Sequence, residues 1–119
     1  VTGWLRTPDD FVKAMALWAD AIGLSNSMIQ ALWCVGMRAC GSNNCPVWIA
    51  TQREDLRERL KIDKAANRVK NFINSSTHLM WVLAKSCGHC KLSEFNQGDI
   101  TTFNYDMHRL TWIEYWGVE

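Results

Sequence analysis

Residues 7–23 read Thr7-Pro8-Asp9-Asp10-Phe11-Val12-Lys13-Ala14-Met15-Ala16-Leu17-Trp18-Ala19-Asp20-Ala21-Ile22-Gly23. The stretch opens like a helix: a threonine cap, a proline at the first helical position and acids in the first turn. Phe11, Met15, Trp18 and Ile22 then recur at helical spacing, with Val12 and Ala19 widening the stripe, and Gly23 supplies a stop. A helix across most of 7–23 is the firmest local expectation, and it sets the fold class.

The same period continues outward. Ser25 or Ser27 can open a second helix carrying Met28, Ile29, Leu32, Trp33, Val35 and Met37 to about Cys40, and Gly41–Pro46 reads as a loop. Thr51-Gln52-Arg53-Glu54 is a capping-box pattern that starts a charged third helix. Its apolar residues change phase, Leu56 and Leu60 on one side and Ile62, Ala65, Val69, Phe72 and Ile73 on another. A break near Lys61–Asp63 follows, since one straight helix would need two apolar stripes. Ser75, Ser76 or Thr77 can cap a fourth helix, from His78 to about Ser86. It is apolar nearly all round and therefore expected at the centre. Residues 88–100 read as a long irregular loop. A last helix carries Phe103, Met107, Leu110, Ile113 and Trp116. Val47-Trp48-Ile49 is too short to support a sheet. The expectation is an all-α, single-domain bundle of about five helices spanning 1–119.

Composition narrows the function classes. The 119 residues are 48% hydrophobic and 21% charged, with a formal net charge of +1, so whole-molecule attraction to a polyanion is excluded and only a local basic face remains. No apolar run approaches the roughly 20 residues of a membrane span, and no signal-peptide pattern is present. Five cysteines, Cys34, Cys40, Cys45, Cys87 and Cys90, make an odd count. It favours a reducing, intracellular setting over a disulfide framework. Asn74-Ser75-Ser76 is a glycosylation sequon, which would gain meaning in a secreted chain.

The cysteines admit two readings. Cys40 and Cys45 bracket a loop and Cys87 and Cys90 form a C-x2-C pair, so these four thiolates can serve tetrahedral zinc, with His89 or Cys34 as substitutes. Alternatively Cys34 and Cys40 simply pack within the second helix. Cys87-Gly88-His89-Cys90-Lys91 also resembles the active-site motif of protein disulfide isomerases, which implies thiol–disulfide exchange by a paired thiol at a helix N-terminus. That family sets the motif after a central strand with a tryptophan before the first cysteine. Here Ser86 precedes Cys87 and the flanking stretch is helical, so the likeness ends at five positions.

Arg53, Arg57, Lys61, Lys64 and Arg68 project within an arc of roughly 80° on an unbroken helix. Such a stripe can track the phosphates of RNA or DNA, as in a viral or regulatory helical protein. The interleaved Glu54, Asp55, Glu58 and Asp63 equally make it a solvated face with local ion pairs.

Seven tryptophans are several times a usual load. Trp18, Trp33 and Trp81 occupy core-like helical positions, whereas Trp4, Trp48 and Trp116, with Tyr115, lie near ends or loops and can anchor a partner. His78, His89 and His108 fit no catalytic motif. Phe103-Asn104-Tyr105-Asp106-Met107, with Leu110, Trp112, Glu114 and Tyr115, is similar to the closing segment of the helical domain in fatty acyl-CoA reductases. The absence of a dinucleotide loop upstream makes that at most an accessory-domain likeness.

The reading reached from sequence is a non-catalytic helical binding or assembly module, zinc-stabilised or not, acting through protein partners or self-association. A nucleic-acid-binding module comes second and a thiol-redox protein third.

Overall fold

The computed structural model describes residues 1–118 and has an all-α fold, as the periodicity predicts. Among these residues there are five α-helices: α1 (Pro8–Ala16), α2 (Asn26–Ala31), α3 (Glu54–Arg57), α4 (Ile62–Ser86) and α5 (Tyr105–Thr111). Two two-residue strands, β1 (Thr101–Thr102) and β2 (Glu114–Tyr115), pair in parallel around α5, with Thr101 opposite Glu114 and Thr102 opposite Tyr115. The chain forms two compact units, one of Val1–Gly23 with Ser76–Glu119 and one of Leu24–Ser75.

In the first unit, α1 starts where expected. The Asp10 carboxylate reaches back to the backbone N–H groups of Arg6 (3.1 Å) and Thr7 (3.3 Å), satisfying donors that the helix itself leaves open. The core is small. Val12, Ala16, Ala84 and Phe95 are buried together, with Met15, Met80, Leu83, Leu92 and Ile100 packed around them. Two alanines, Ala16 in α1 and Ala84 in α4, have no exposed surface.

In the second unit the backbone polar groups carry more of the organisation than apolar packing. Its buried residues are Ser27, Cys45, Thr51 and Ala65. The loop is closed by Asn43, whose side-chain Oδ1 accepts the Gln52 N–H at 2.6 Å while its carbonyl accepts the Thr51 hydroxyl at 2.7 Å. Arg53 adds an Nη1 hydrogen bond to Asn44 Oδ1 at 2.8 Å.

Several helix ends differ from the expected ones. The first helix stops at Ala16 rather than near Gly23, and the second at Ala31 rather than near Cys40. Both reverse at a tryptophan of positive φ, Trp18 at 69° and Trp33 at 93°. The break between the third and fourth helices is present, at residues 58–61. No separate fourth helix starts at His78: α4 runs unbroken through Ser75-Ser76-Thr77. Residues 62–86 contain neither glycine nor proline, so nothing stops the helix, and a cap residue marks a start only where the preceding chain has left it. The sequon of Asn74 therefore lies inside a helix.

The C-terminal part of α4 is not enclosed all round, since Leu79, Trp81 and Val82 are exposed. Trp18 and Trp33, expected in the core, are exposed as well, because the early helix ends carry them past the last turn. Holding an L-residue in the left-handed region costs roughly 1–2 kcal/mol. The Arg68 guanidinium, 4.1 Å from the Trp33 ring centroid, returns about 0.5–1 kcal/mol at an exposed site, so strain outweighs it.

Phe95 is the largest side chain buried in the core cluster. Phe95→Ala is expected to destabilise the first unit by about 3 kcal/mol or more, read as a lowered urea midpoint at unchanged slope.

Candidate functional site

The most developed polar site is the loop after α2. Leu32 caps that helix and Trp33 turns the chain out of it, so Cys34 leaves the helix rather than packing in it. A 3₁₀ turn at Cys40–Ser42 and a left-handed Asn43 (φ 60°) then bend the chain back. Cys45 begins a reverse turn, accepting the Trp48 N–H on its carbonyl at 3.2 Å. As a result Cys34, Cys40 and Cys45 line one small pocket, together with Val35–Ala39, Pro46 and Val47.

Cys45 is buried and has an unusual environment. The backbone N–H groups of Ala50 first, then those of Val47, Ile49 and Trp48, lie near enough to its sulfur to favour the anion. Burial opposes them, yet the thiol is held below its ordinary value of 9.0. Nearby backbone N–H groups favour negative charge on this sulfur.

Cys87 has the opposite setting. Its thiol is pushed above 9.0, by desolvation first and by the Asp99 carboxylate second. Cys87 and Cys90 follow the C-terminus of α4, where the helix dipole disfavours an anion. Thiol exchange needs the reverse, so the disulfide-isomerase likeness fails on chemistry as well as on scaffold. Between them, His89 Nε2 lies 2.7 Å from Asp99 Oδ2, with both side chains largely buried and His89 edge-on to Phe95. Asp99 also accepts the Asn96 N–H at 2.8 Å.

The four cysteines expected to share zinc divide between the units, Cys40 and Cys45 in one and Cys87 and Cys90 in the other. Among the described residues no three His, Cys, Asp or Glu side chains are gathered tightly enough for one metal ion. The basic stripe is interrupted: Arg53 precedes α3 and pairs with Asp55 at 2.9 Å, Arg57 ends α3, Lys61 lies in the break, and Lys64 and Arg68 start α4. Arg68 stacks on Trp33.

The proposed anchors are dispersed. Trp4 is exposed under Arg6, Trp48 is half-buried, and Trp116 is exposed with its N–H on the Thr102 carbonyl. Tyr115 is half-buried, its ring 5.7 Å from that of Tyr105. His108 donates its Nδ1–H to the Ile113 carbonyl oxygen, 2.7 Å away, a structural contact.

Residues 1–90 match the model described as the conserved region in glutamate synthase. The chain belongs to the glutamate synthase family. It is 31% identical over 87 residues to a glutamate synthase large subunit-like protein of Bacillus subtilis, covering 73% of this chain and 17% of that protein. It is 36% identical over 107 residues to the ferredoxin-dependent glutamate synthase of Cyanidium caldarium, covering 89% of this chain and 7% of the relative. With the archaeal NADPH glutamate synthase of Methanocaldococcus jannaschii it shares 37% over 87 residues, 73% and 17% of the two chains. The chain thus spans a small part of these relatives' length. No solved structure matches it.

Family membership corrects the functional reading. The chain is an enzyme-related region, so the non-catalytic binding module, the nucleic-acid module and the viral or regulatory setting are set aside. The likeness to acyl-CoA reductases gives way with them. Balanced charge and abundant tryptophan had carried the protein-binding reading, and neither is diagnostic of it. The spacing Cys34-x5-Cys40-x4-Cys45 keeps the three pocket cysteines close along the chain, and extending the second helix through Cys34 to Cys40 obscured it. No helix among the described residues is long and apolar enough to cross a membrane.

Asp99 gives a pH test. Desolvation raises its pKa, but the Asn96 N–H and His89 outweigh it, and the carboxyl is held below 3.8. A depressed folded-state pKa contributes stability that is present above the unfolded value and lost as pH falls through the folded one. The structure is therefore expected to weaken as pH drops below about 3.8, and Asp99→Asn to flatten that part of a stability-versus-pH curve measured by urea unfolding.

Proposed function

We propose that this chain is the part of a glutamate synthase that holds an iron–sulfur cluster, with Cys34, Cys40 and Cys45 as its thiolate ligands. The observation that carries the reading is the shared pocket of these three cysteines, with backbone N–H groups near the Cys45 sulfur. Clusters are held by cysteine thiolates and tuned by hydrogen bonds to sulfur. A cluster is several atoms across, so it accepts thiolates that one metal ion would not gather.

The chain's own residues supply the holding structure. The Asn43 clamp on Thr51 and Gln52 fixes the loop between Cys40 and the Cys45 turn. Pro46 restricts the backbone directly after the third ligand. Backbone N–H groups near Cys45 favour negative charge there without a counter-ion. When bound, such a cluster stores and passes single electrons. The names of two relatives specify ferredoxin and NADPH, both sources of reducing equivalents, which suits an electron-carrying part.

A reducing, intracellular compartment fits five unbridged thiols. Many large apolar side chains are exposed, Ile62, Phe103, Leu110 and Val118 among them, which is surface that the remainder of a synthase would cover.

Anaerobic incubation with ferrous iron and sulfide is expected to yield bound iron and acid-labile sulfide, with a cluster signal in electron paramagnetic resonance. Cys34→Ser, Cys40→Ser and Cys45→Ser should each abolish loading, and Cys87→Ser with Cys90→Ser should retain it. Zinc held by Cys40, Cys45, Cys87 and Cys90, or cluster loss on replacing Cys87 and Cys90, would overturn the assignment.

A further inference from the structure

Five of the seven tryptophans have positive φ: Trp4 (56°), Trp18 (69°), Trp33 (93°), Trp48 (67°) and Trp112 (62°). Of the other non-glycine residues among those described, only Arg38 and Asn43 do, which matches the few per cent normal for L-residues. A bulky side chain in this region is an outlier once. Five times on one residue type is a pattern.

The helix ends show what the backbone asks for. At the end of α4, Gly88 (φ 81°) donates its N–H to the Lys85 carbonyl at 3.0 Å, and His89 donates to Ala84 at 2.8 Å. This pair of bonds is the Schellman motif, whose left-handed position is usually glycine. At the end of α1, Trp18 donates to Met15 at 2.9 Å and Ala19 to Ala14 at 3.1 Å. At the end of α2, Trp33 donates to Gln30 at 2.9 Å and Cys34 to Ile29 at 3.1 Å. The three motifs are the same, with glycine in one and tryptophan in two. Trp112 closes α5 in the same left-handed conformation, its N–H on the His108 carbonyl at 2.8 Å.

The indoles gain little in exchange. Trp4, Trp18, Trp33 and Trp112 are 71%, 77%, 57% and 81% exposed. The fifth, Trp48, buries an indole N–H that has no hydrogen-bond partner. Four of the positions use the backbone: a helix reversal at Trp18, Trp33 and Trp112, and at Trp48 a turn closed by its backbone N–H on the Cys45 carbonyl at 3.2 Å.

We propose that Trp4, Trp18, Trp33, Trp48 and Trp112 occupy glycine positions of this fold, and that their codon is read as glycine in the cell that makes the working protein. UGA has the required property, since different translation systems read it as tryptophan or as glycine. The inference stands on backbone geometry and is independent of the cluster assignment. It also removes the tryptophan excess, and it leaves the N–H groups around Cys45 in place.

Two measurements test it. The protein is isolated from its source cells, digested and weighed. Peptides spanning these five positions are expected to be lighter by the tryptophan–glycine mass difference; peptides of tryptophan mass there overturn the proposal. Separately, the chain is expressed with unambiguous codons. Trp18→Gly, Trp33→Gly and Trp112→Gly are each expected to raise Tm by several degrees, whereas Trp81→Gly, within α4, lowers it. A fall in Tm for Trp18→Gly and Trp33→Gly equally overturns it.

Discussion

The course of this chain depends on left-handed residues at the ends of its helices. α1, α2, α4 and α5 all terminate at or just before one. Each reversal takes up carbonyls that the last turn leaves open and swings the following segment away from the helix axis. The consequences are direct. Because α2 stops at Ala31, Cys34 enters the cysteine pocket instead of a helix face. Because α4 stops at Ser86, Cys87 and Cys90 fall at the negative end of a helix dipole. The placement of Cys34, Cys87 and Cys90 follows from where a helix ends.

Two cysteines illustrate how far backbone geometry alone can drive chemistry apart. Cys45 and Cys87 carry the same group, and both meet some desolvation. Backbone N–H groups near Cys45 shift its thiol towards the anion. Cys87 follows spent helix carbonyls and faces a carboxylate, so the neutral thiol is favoured. A reading based on cysteine spacing alone treats the two pairs alike and joins them in one zinc site. The distinction lies in turn conformation, which spacing does not encode.

Much of the fold was legible in the sequence, and the parts that were not have identifiable causes. The start of α1 was written in Thr7, Pro8 and Asp10, and the break before α4 in the change of apolar phase after Leu60. Helix ends were obscured, because tryptophan at positions 18 and 33 reads as more apolar stripe where the backbone needs a stop. The continuity of α4 through Ser75-Ser76-Thr77 was missed for the converse reason, since polar residues that can cap a start do not interrupt a helix already formed. The candidate site was half visible: Cys40 and Cys45 were singled out as ligands, and Cys34 entered as a substitute ligand or, together with Cys40, as a packing residue of a helix drawn too long. Family membership was beyond reach of motif reasoning, since the matching region carries no short catalytic signature.

The segment after α4 has a further property. Glu94 accepts the N–H groups of Cys90 and Lys91, and Asp99 accepts that of Asn96 and holds His89. Every partner lies within ten residues along the chain. Such short loops close on a timescale of tens of nanoseconds and forfeit little chain entropy. This stretch, irregular to the eye, is therefore held largely by contacts that close early and locally, with Phe95 in their midst.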